Sequence, residues 1–184
     1  MPSIYDKALA ELGSVFARID DRAVERALSM IAEAKRIVVF GGGRERLQIM
    51  GFAMRLYHMG LAVAVEGDMT TPPVGKGDLF IVTVGPGEIS TALALLGVAK
   101  LAGATILVLT AQPKGRAAAY ADLVLHLPAQ TMADDQGPAS TSILPMGSLY
   151  EGALFVLFEV MILKLRDNLK IAPELMRANH TNLE

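Results

Sequence analysis

Residues 81–91 read Ile-Val-Thr-Val-Gly-Pro-Gly-Glu-Ile-Ser-Thr, an apolar run that breaks at a glycine-rich turn and resumes as an amphipathic segment. Strand, tight loop and helix in that order are what an α/β protein uses to hold an anion at a helix N-terminus. This turn is an odd example. It has no hydroxyl side chain, and Pro86 between Gly85 and Gly87 removes one main-chain donor.

The same alternation extends in both directions. Residues 36–40 (Arg-Ile-Val-Val-Phe) form a short β-branched run bounded by Gly41-Gly42-Gly43. The spacing of Leu47, Met50, Met54 and Tyr57 predicts a helix over 45–58, with Gly60 as its C-cap. Further strands are expected at 61–65, 79–84, 105–109 and 123–127. Helices are expected at 88–101 and 116–121. All five strands are continuous apolar runs, the pattern of strands covered on both faces. Residues 36–127 therefore read as a doubly wound core. The fold class is α/β, a three-layer arrangement with a five-stranded parallel sheet of flavodoxin-like order 2-1-3-4-5 and flanking helices.

Around that core, residues 1–34 carry two helices, the first from apolar spacing over 4–18, the second opening at Asp20 or Asp21. A polar loop occupies 129–144. Residues 148–184 hold a long apolar helix to about Asn168, a short helix opened by Pro173, and a tail. One domain of 184 residues is expected to contain all of this. In the 2-1-3-4-5 order, strands one and three are neighbours whose connections leave in opposite directions, and a ligand crevice opens at their carboxyl ends. The loops that follow them are 41–46 and 85–88, the two glycine-rich turns of the chain.

Composition narrows the function classes. The chain is 52% hydrophobic with a mean hydropathy of +0.41, within the globular range. Its net charge of −2 and lack of a basic cluster argue against a nucleic-acid partner. There is no cysteine. Asp6, Glu11, Arg18 and Asp20 interrupt the first twenty residues, which excludes a secretory signal. The most apolar stretch, 152–163, contains Glu159 and is too short to cross a bilayer. A soluble, cytoplasmic protein with no membrane partner is expected. The surplus of Met, Leu and Ala points to apolar surface shared between subunits of a homo-oligomer.

The 41–46 loop is not a dinucleotide fingerprint, because Arg46 stands where the third glycine belongs, nor a Walker loop. No nucleotide cofactor is expected. A compact turn with Arg44 and Arg46 at a helix N-terminus suits a small anion; it reads equally well as a tight turn with solvated arginines. His58 reads as a packing or capping residue and His126 as a sheet histidine. No histidine and carboxylate have metal-ligand spacing, so no metal is assigned.

Taken together, several stretches resemble a sugar isomerase (SIS) domain and, more narrowly, the 6-phospho-3-hexuloisomerases of the ribulose monophosphate pathway. They are Gly-Gly-Gly-Arg (41–44), Phe-Ala-Met-Arg-Leu (52–56), His58-Met59-Gly60, Thr71-Pro72-Pro73 and Gly77-Asp78-Leu79. Gly85 with Gly87-Glu88, Asp135-Gln136, Pro-Met-Gly-Ser-Leu-Tyr-Glu (145–151) and the terminal His-Thr-Asn-Leu-Glu (180–184) complete the set. The resemblance implies a metal-independent isomerase that moves a proton between adjacent carbons of a sugar or sugar phosphate through an enediol. It also implies a tetramer and no cofactor.

By the same resemblance, Glu151 is the acid/base and His180 assists at the substrate oxygens, in its own or a neighbouring subunit's site. Gly42, Gly43, Arg44, Arg46, Gly85, Gly87, Glu88, Ser90 and Thr91 are assigned to substrate binding, with Asp135 and Gln136 in a lid over the crevice. Other readings stand beside these. Ser148-x-x-Glu151 is also a capping box, Glu88 an acid placed for the helix dipole, and the tail an unstructured end. The family's loops carry hydroxyls at four places held here by Glu45, Val84, Pro86 and Ile89. Each lost hydroxyl removes a hydrogen bond to phosphate worth roughly 1.5–3 kcal/mol. A retained crevice with an altered phosphate grip is expected; the resemblance implies a 3-hexulose 6-phosphate as the default substrate, and the altered loops leave a different or unphosphorylated sugar open beside it. The alternative function is a non-catalytic sugar-phosphate sensor, which would work with a separate DNA-binding partner.

Overall fold

A computed structural model describes residues 1–183 of the chain. The last residue of the terminal motif, Glu184, lies outside the described residues. Five parallel strands, β1 (Ile37–Gly41), β2 (Val63–Val65), β3 (Leu79–Thr83), β4 (Thr105–Thr110) and β5 (Leu123–His126), form one sheet in the order β2-β1-β3-β4-β5. Six α-helices accompany them among the described residues: α1 (Ile4–Phe16), α2 (Asp21–Glu33), α3 (Glu45–His58), α4 (Ser90–Leu101), α5 (Ser148–Leu169) and α6 (Pro173–Ala178).

The two-residue period of a strand sorts each apolar run onto two faces. Ile37, Val39, Leu79, Ile81, Leu107 and Leu109 pack against α2, α3 and α5, with Val15 of α1 in the same cluster. Val38, Phe40, Phe80, Val82, Ile106 and Val108 pack against Ala92, Leu96 and Ala99 of α4. Because both faces are covered, the strands show no polar alternation. Phe52 of α3 stacks on Phe158 of α5 with ring centroids 4.4 Å apart, tying these two helices together on one side.

Register then places the loops. β1 and β3 are paired so that Gly41 sits opposite Thr83, and the turns that follow leave the sheet side by side. Several boundaries differ from the sequence expectation. β1 starts at Ile37, and β2 is confined to Val63–Val65. The segment at 116–120 is a 3-10 helix. α4 opens at Ser90 with Ile89 as its N-cap, not at Glu88. The cause is the turn before it: Gly87 N–H donates to Val84 O at 2.9 Å and Gly87 adopts φ +80°, which holds 84–88 out of the helix.

Candidate active site

The carboxyl ends of β1 and β3 open into a cleft of about 560 Å³, within the range of small-molecule sites. Gly42, Gly43 and Arg44 form one wall, and Pro86 and Ile89 of the second turn form another. Thr131 and Met132 come from the 129–144 loop, Met146 and Gly147 from the stretch just before α5, and Tyr150 and Glu151 from its first turn.

Glu151 is mostly buried and is held by an ion pair, Arg44 Nη2 to Glu151 Oε2 at 2.7 Å. Arg44 Nη2 also donates to Ser148 Oγ at 3.2 Å. The capping-box reading of Ser148 and Glu151 is thereby overturned. Ser148 is the first residue inside α5, Gly147 is the N-cap, and no side chain caps that end. Both side chains are turned to Arg44 instead.

The cleft is also lined by a residue whose place in the sequence marked only a lost hydroxyl. Glu45, at the N-terminus of α3, is buried, and its carboxylate accepts the Gly85 N–H at 3.0 Å on Oε1 and 3.1 Å on Oε2. Thr83 Oγ1 donates to Glu45 Oε2 at 2.7 Å and lies 3.2 Å from Tyr150 OH. With the Thr83 proton committed to an ionised Glu45, the phenol is the donor to Thr83, so the chain runs Tyr150 to Thr83 to Glu45. Burial pushes the Glu45 carboxyl up to about 7, against the pull of its Thr83 and Gly85 hydrogen bonds; the nearby Glu151 charge pushes the same way. Burial, and then the Glu45 charge, push the Tyr150 hydroxyl well above its ordinary value. Packing here is close: a Cβ on Gly85 would stand 2.9 Å from Glu45 Oε1 and from two carbons of the Tyr150 ring.

The other expected site residues divide. Gly42, Gly43, Arg44 and Glu151 meet in the cleft. Arg46 turns away and donates to the Glu66 carbonyl at 2.6 Å, with the Glu66 carboxylate at 3.6 Å. Glu88 pairs with Arg116 at 2.6 Å on the surface. Ser90 and Thr91 are exposed on the first turn of α4, and Ile89 faces the cleft in their place. Gly87 packs on Gln112 and Gly115. Asp135 and Gln136 bond to each other at 3.1 Å, while the same loop reaches the cleft through Thr131 and Met132.

His180 is on another part of the molecule. Its ring lies 5.1 Å from that of His58, at the far end of α3, and Asn179 Nδ2 donates to the His58 carbonyl at 3.0 Å. Thirteen helical steps lead from Glu45 to His58, a rise of about 20 Å. The cleft and His180 are therefore not brought together within one chain. Among the described residues there is no group of three or more His, Cys, Asp or Glu arranged to hold a metal ion. None of the described helices is long and apolar enough to cross a membrane.

Comparison with known proteins agrees with this architecture. The SIS domain family profile matches residues 30–156. A 3-hexulose-6-phosphate isomerase from Bacillus subtilis is 34% identical over 96% of this chain and 95% of its own length. One from Methylomonas aminofaciens is 34% identical over the full length of both. A crystal structure of a hypothetical protein from Methanococcus jannaschii, from which a 3-hexulose-6-phosphate isomerase function was inferred, superimposes with a TM-score of 0.85 at 26% identity, covering 98% of each chain.

Proposed function

The chain belongs to the SIS domain family, and on that premise we propose that it is a ketose isomerase of the hexulose-phosphate isomerase type, with Glu151 as its acid/base. The observation that carries this reading is the meeting of the Glu151 carboxylate with both glycine turns in one cleft at the β1–β3 switch point. Relatives named as 3-hexulose-6-phosphate isomerases over nearly the whole chain support the reaction class.

In this mechanism Glu151 removes the proton from the carbon beside the substrate carbonyl. The electron pair moves onto the carbonyl oxygen to give an enediolate, and the same carboxyl returns the proton to the neighbouring carbon. Arg44 orients Glu151 and faces the charge that grows on oxygen. No metal or organic cofactor takes part in this reading. A second group must move the proton between the two oxygens. His180 fits that role only if it comes from another subunit, because its own cleft lies about 20 Å away along α3. The exposed apolar stripe Leu47, Met50, Met54 and Tyr57 on α3 supports a homo-oligomer, a tetramer in this proposal. The test is solvent-deuterium incorporation next to the carbonyl of a ketose, and its loss in Glu151→Gln.

A further inference from the structure

The turn that would grip an anion already holds one. Both carboxylate oxygens of Glu45 lie on the Gly85 amide, at 3.0 and 3.1 Å, and Thr83 donates to one of them at 2.7 Å. Of the other donors in the turn, Pro86 has no N–H, and Gly87 is committed to Val84 O at 2.9 Å. A resident carboxylate thus takes the Gly85 amide and the Thr83 hydroxyl, two donors that a phosphate could otherwise use at this place.

Nearby cations are also committed. Arg44 pairs with Glu151, Arg46 with Glu66, and Arg116 with Glu88. Around the two turns three arginines therefore face four carboxylates, and Glu45 has no ion-pair partner among the described residues. A dianion entering here would have to displace Glu45 from Gly85 or lie against its charge in a partly desolvated pocket, where like charges repel strongly. A neutral hydroxyl meets neither obstacle.

We propose that Glu45 sets the substrate class of this cleft: seated on Gly85 and Thr83, its carboxylate selects a ketose whose end at this turn is a neutral hydroxyl over one that ends in a phosphate dianion. Glu45 acts here as a specificity-determining residue, not as the proton carrier. The proposal rests on the isomerase reading for the reaction, but its binding preference can be measured without turnover.

Ionisation offers an independent handle. The groups facing Glu45 are Arg44 at the N-cap of α3, Tyr150 and Glu151 from α5, and the Thr83 hydroxyl and Gly85 amide from β3 and its turn. The 129–147 segment adds only Thr131, Met132, Met146 and Gly147 to the cleft, none of them titratable. An arginine keeps its proton in proteins, and the Tyr150 phenol is pushed up, away from neutrality. Lowering the pH through about 7 therefore discharges Glu45.

Calorimetric titration with inorganic sulfate, D-fructose and D-fructose 6-phosphate at pH 8 tests the proposal on wild type, Glu45→Gln and Glu45→Ser. Sulfate is a dianion throughout this range, so its own ionisation does not enter. Wild type binds the free ketose at least as tightly as the ester, and both variants gain about tenfold or more for sulfate and ester. In wild type, sulfate binding tightens about tenfold from pH 8 to pH 6. A wild type that binds the ester about tenfold more tightly than the free ketose, unchanged sulfate affinity in a folded variant, or a flat pH profile overturns the proposal. Should neither variant fold, the wild-type pH series decides alone. Failure of the isomerase reading appears elsewhere, as absent solvent exchange, and leaves the sulfate result standing.

Discussion

Arg44 and Glu151, 2.7 Å apart, join the N-terminus of α3 to the first turn of α5 across the mouth of the cleft. The pair places a carboxylate and a guanidinium together where both glycine turns end.

Because the Arg44 side chain is 54% exposed, the pair contributes little to stability, under about 1 kcal/mol. Its effect is expected in turnover instead. Arg44→Met should lower kcat/KM roughly 10- to 100-fold while leaving the urea midpoint almost unmoved. A large stability loss with unchanged kinetics would assign Arg44 a structural role only.

Gly85 is sterically fixed. A methyl group there would press within 2.9 Å of the Glu45 carboxylate and the buried Tyr150 ring. Overpacking of this kind costs about 1–3 kcal/mol, so Gly85→Ala should lower the unfolding free energy by that amount in denaturant titration. The Glu45→Gln, Gly85→Ala double variant should depart from additivity, since the two residues touch.

Glu45 also makes stability depend on pH, with a definite sign. Its folded value of about 7 lies above the ordinary 4.5, so between these values the folded state holds the proton that the unfolded state has released. This contribution is fully present below about pH 4.5 and is lost as pH rises through about 7, a change of about 3 kcal/mol. The difference between wild type and Glu45→Gln unfolding free energies at pH 5 and pH 8 measures it. No difference in their pH slopes would mean that the carboxyl is not desolvated as described.

His180 and Glu151 are assigned to one reaction but sit in different parts of the chain. If neighbouring subunits complete each other's sites, mixing inactive Glu151→Gln with inactive His180→Ala should restore activity through mixed oligomers. Light scattering that finds a monomer, or mixtures that stay inactive after subunit exchange, would remove the cross-subunit role.

How much of this could be read from the sequence depended on whether the signal was local. Continuous apolar strands such as 79–83 announce a sheet covered on both faces, and Gly41 and Gly85 mark where its loops begin. Glu45 gave no such sign. Its partners are 38 and 40 residues away, and only the pairing of Gly41 with Thr83 brings them beneath the same turn. The available clue was compositional: an acid where the family keeps a hydroxyl, and a second turn without one. The capping-box alternative at Ser148-x-x-Glu151 fails for the opposite reason. The local pattern suits a cap, but Arg44, 104 residues before Ser148, takes both side chains instead. Arg46 likewise looked like an anion ligand until the Glu66 carbonyl, on the neighbouring strand's exit, took its guanidinium.

The most direct measurement is isotopic. The protein is incubated in heavy water with phosphorylated and free ketoses, and deuterium is sought by mass spectrometry and NMR at the carbon next to the carbonyl. The account predicts incorporation by wild type, its loss in a folded Glu151→Gln, and its persistence, with altered preference among the ketoses, in Glu45→Gln. Ketose binding without any exchange, or exchange that survives Glu151→Gln, would contradict it.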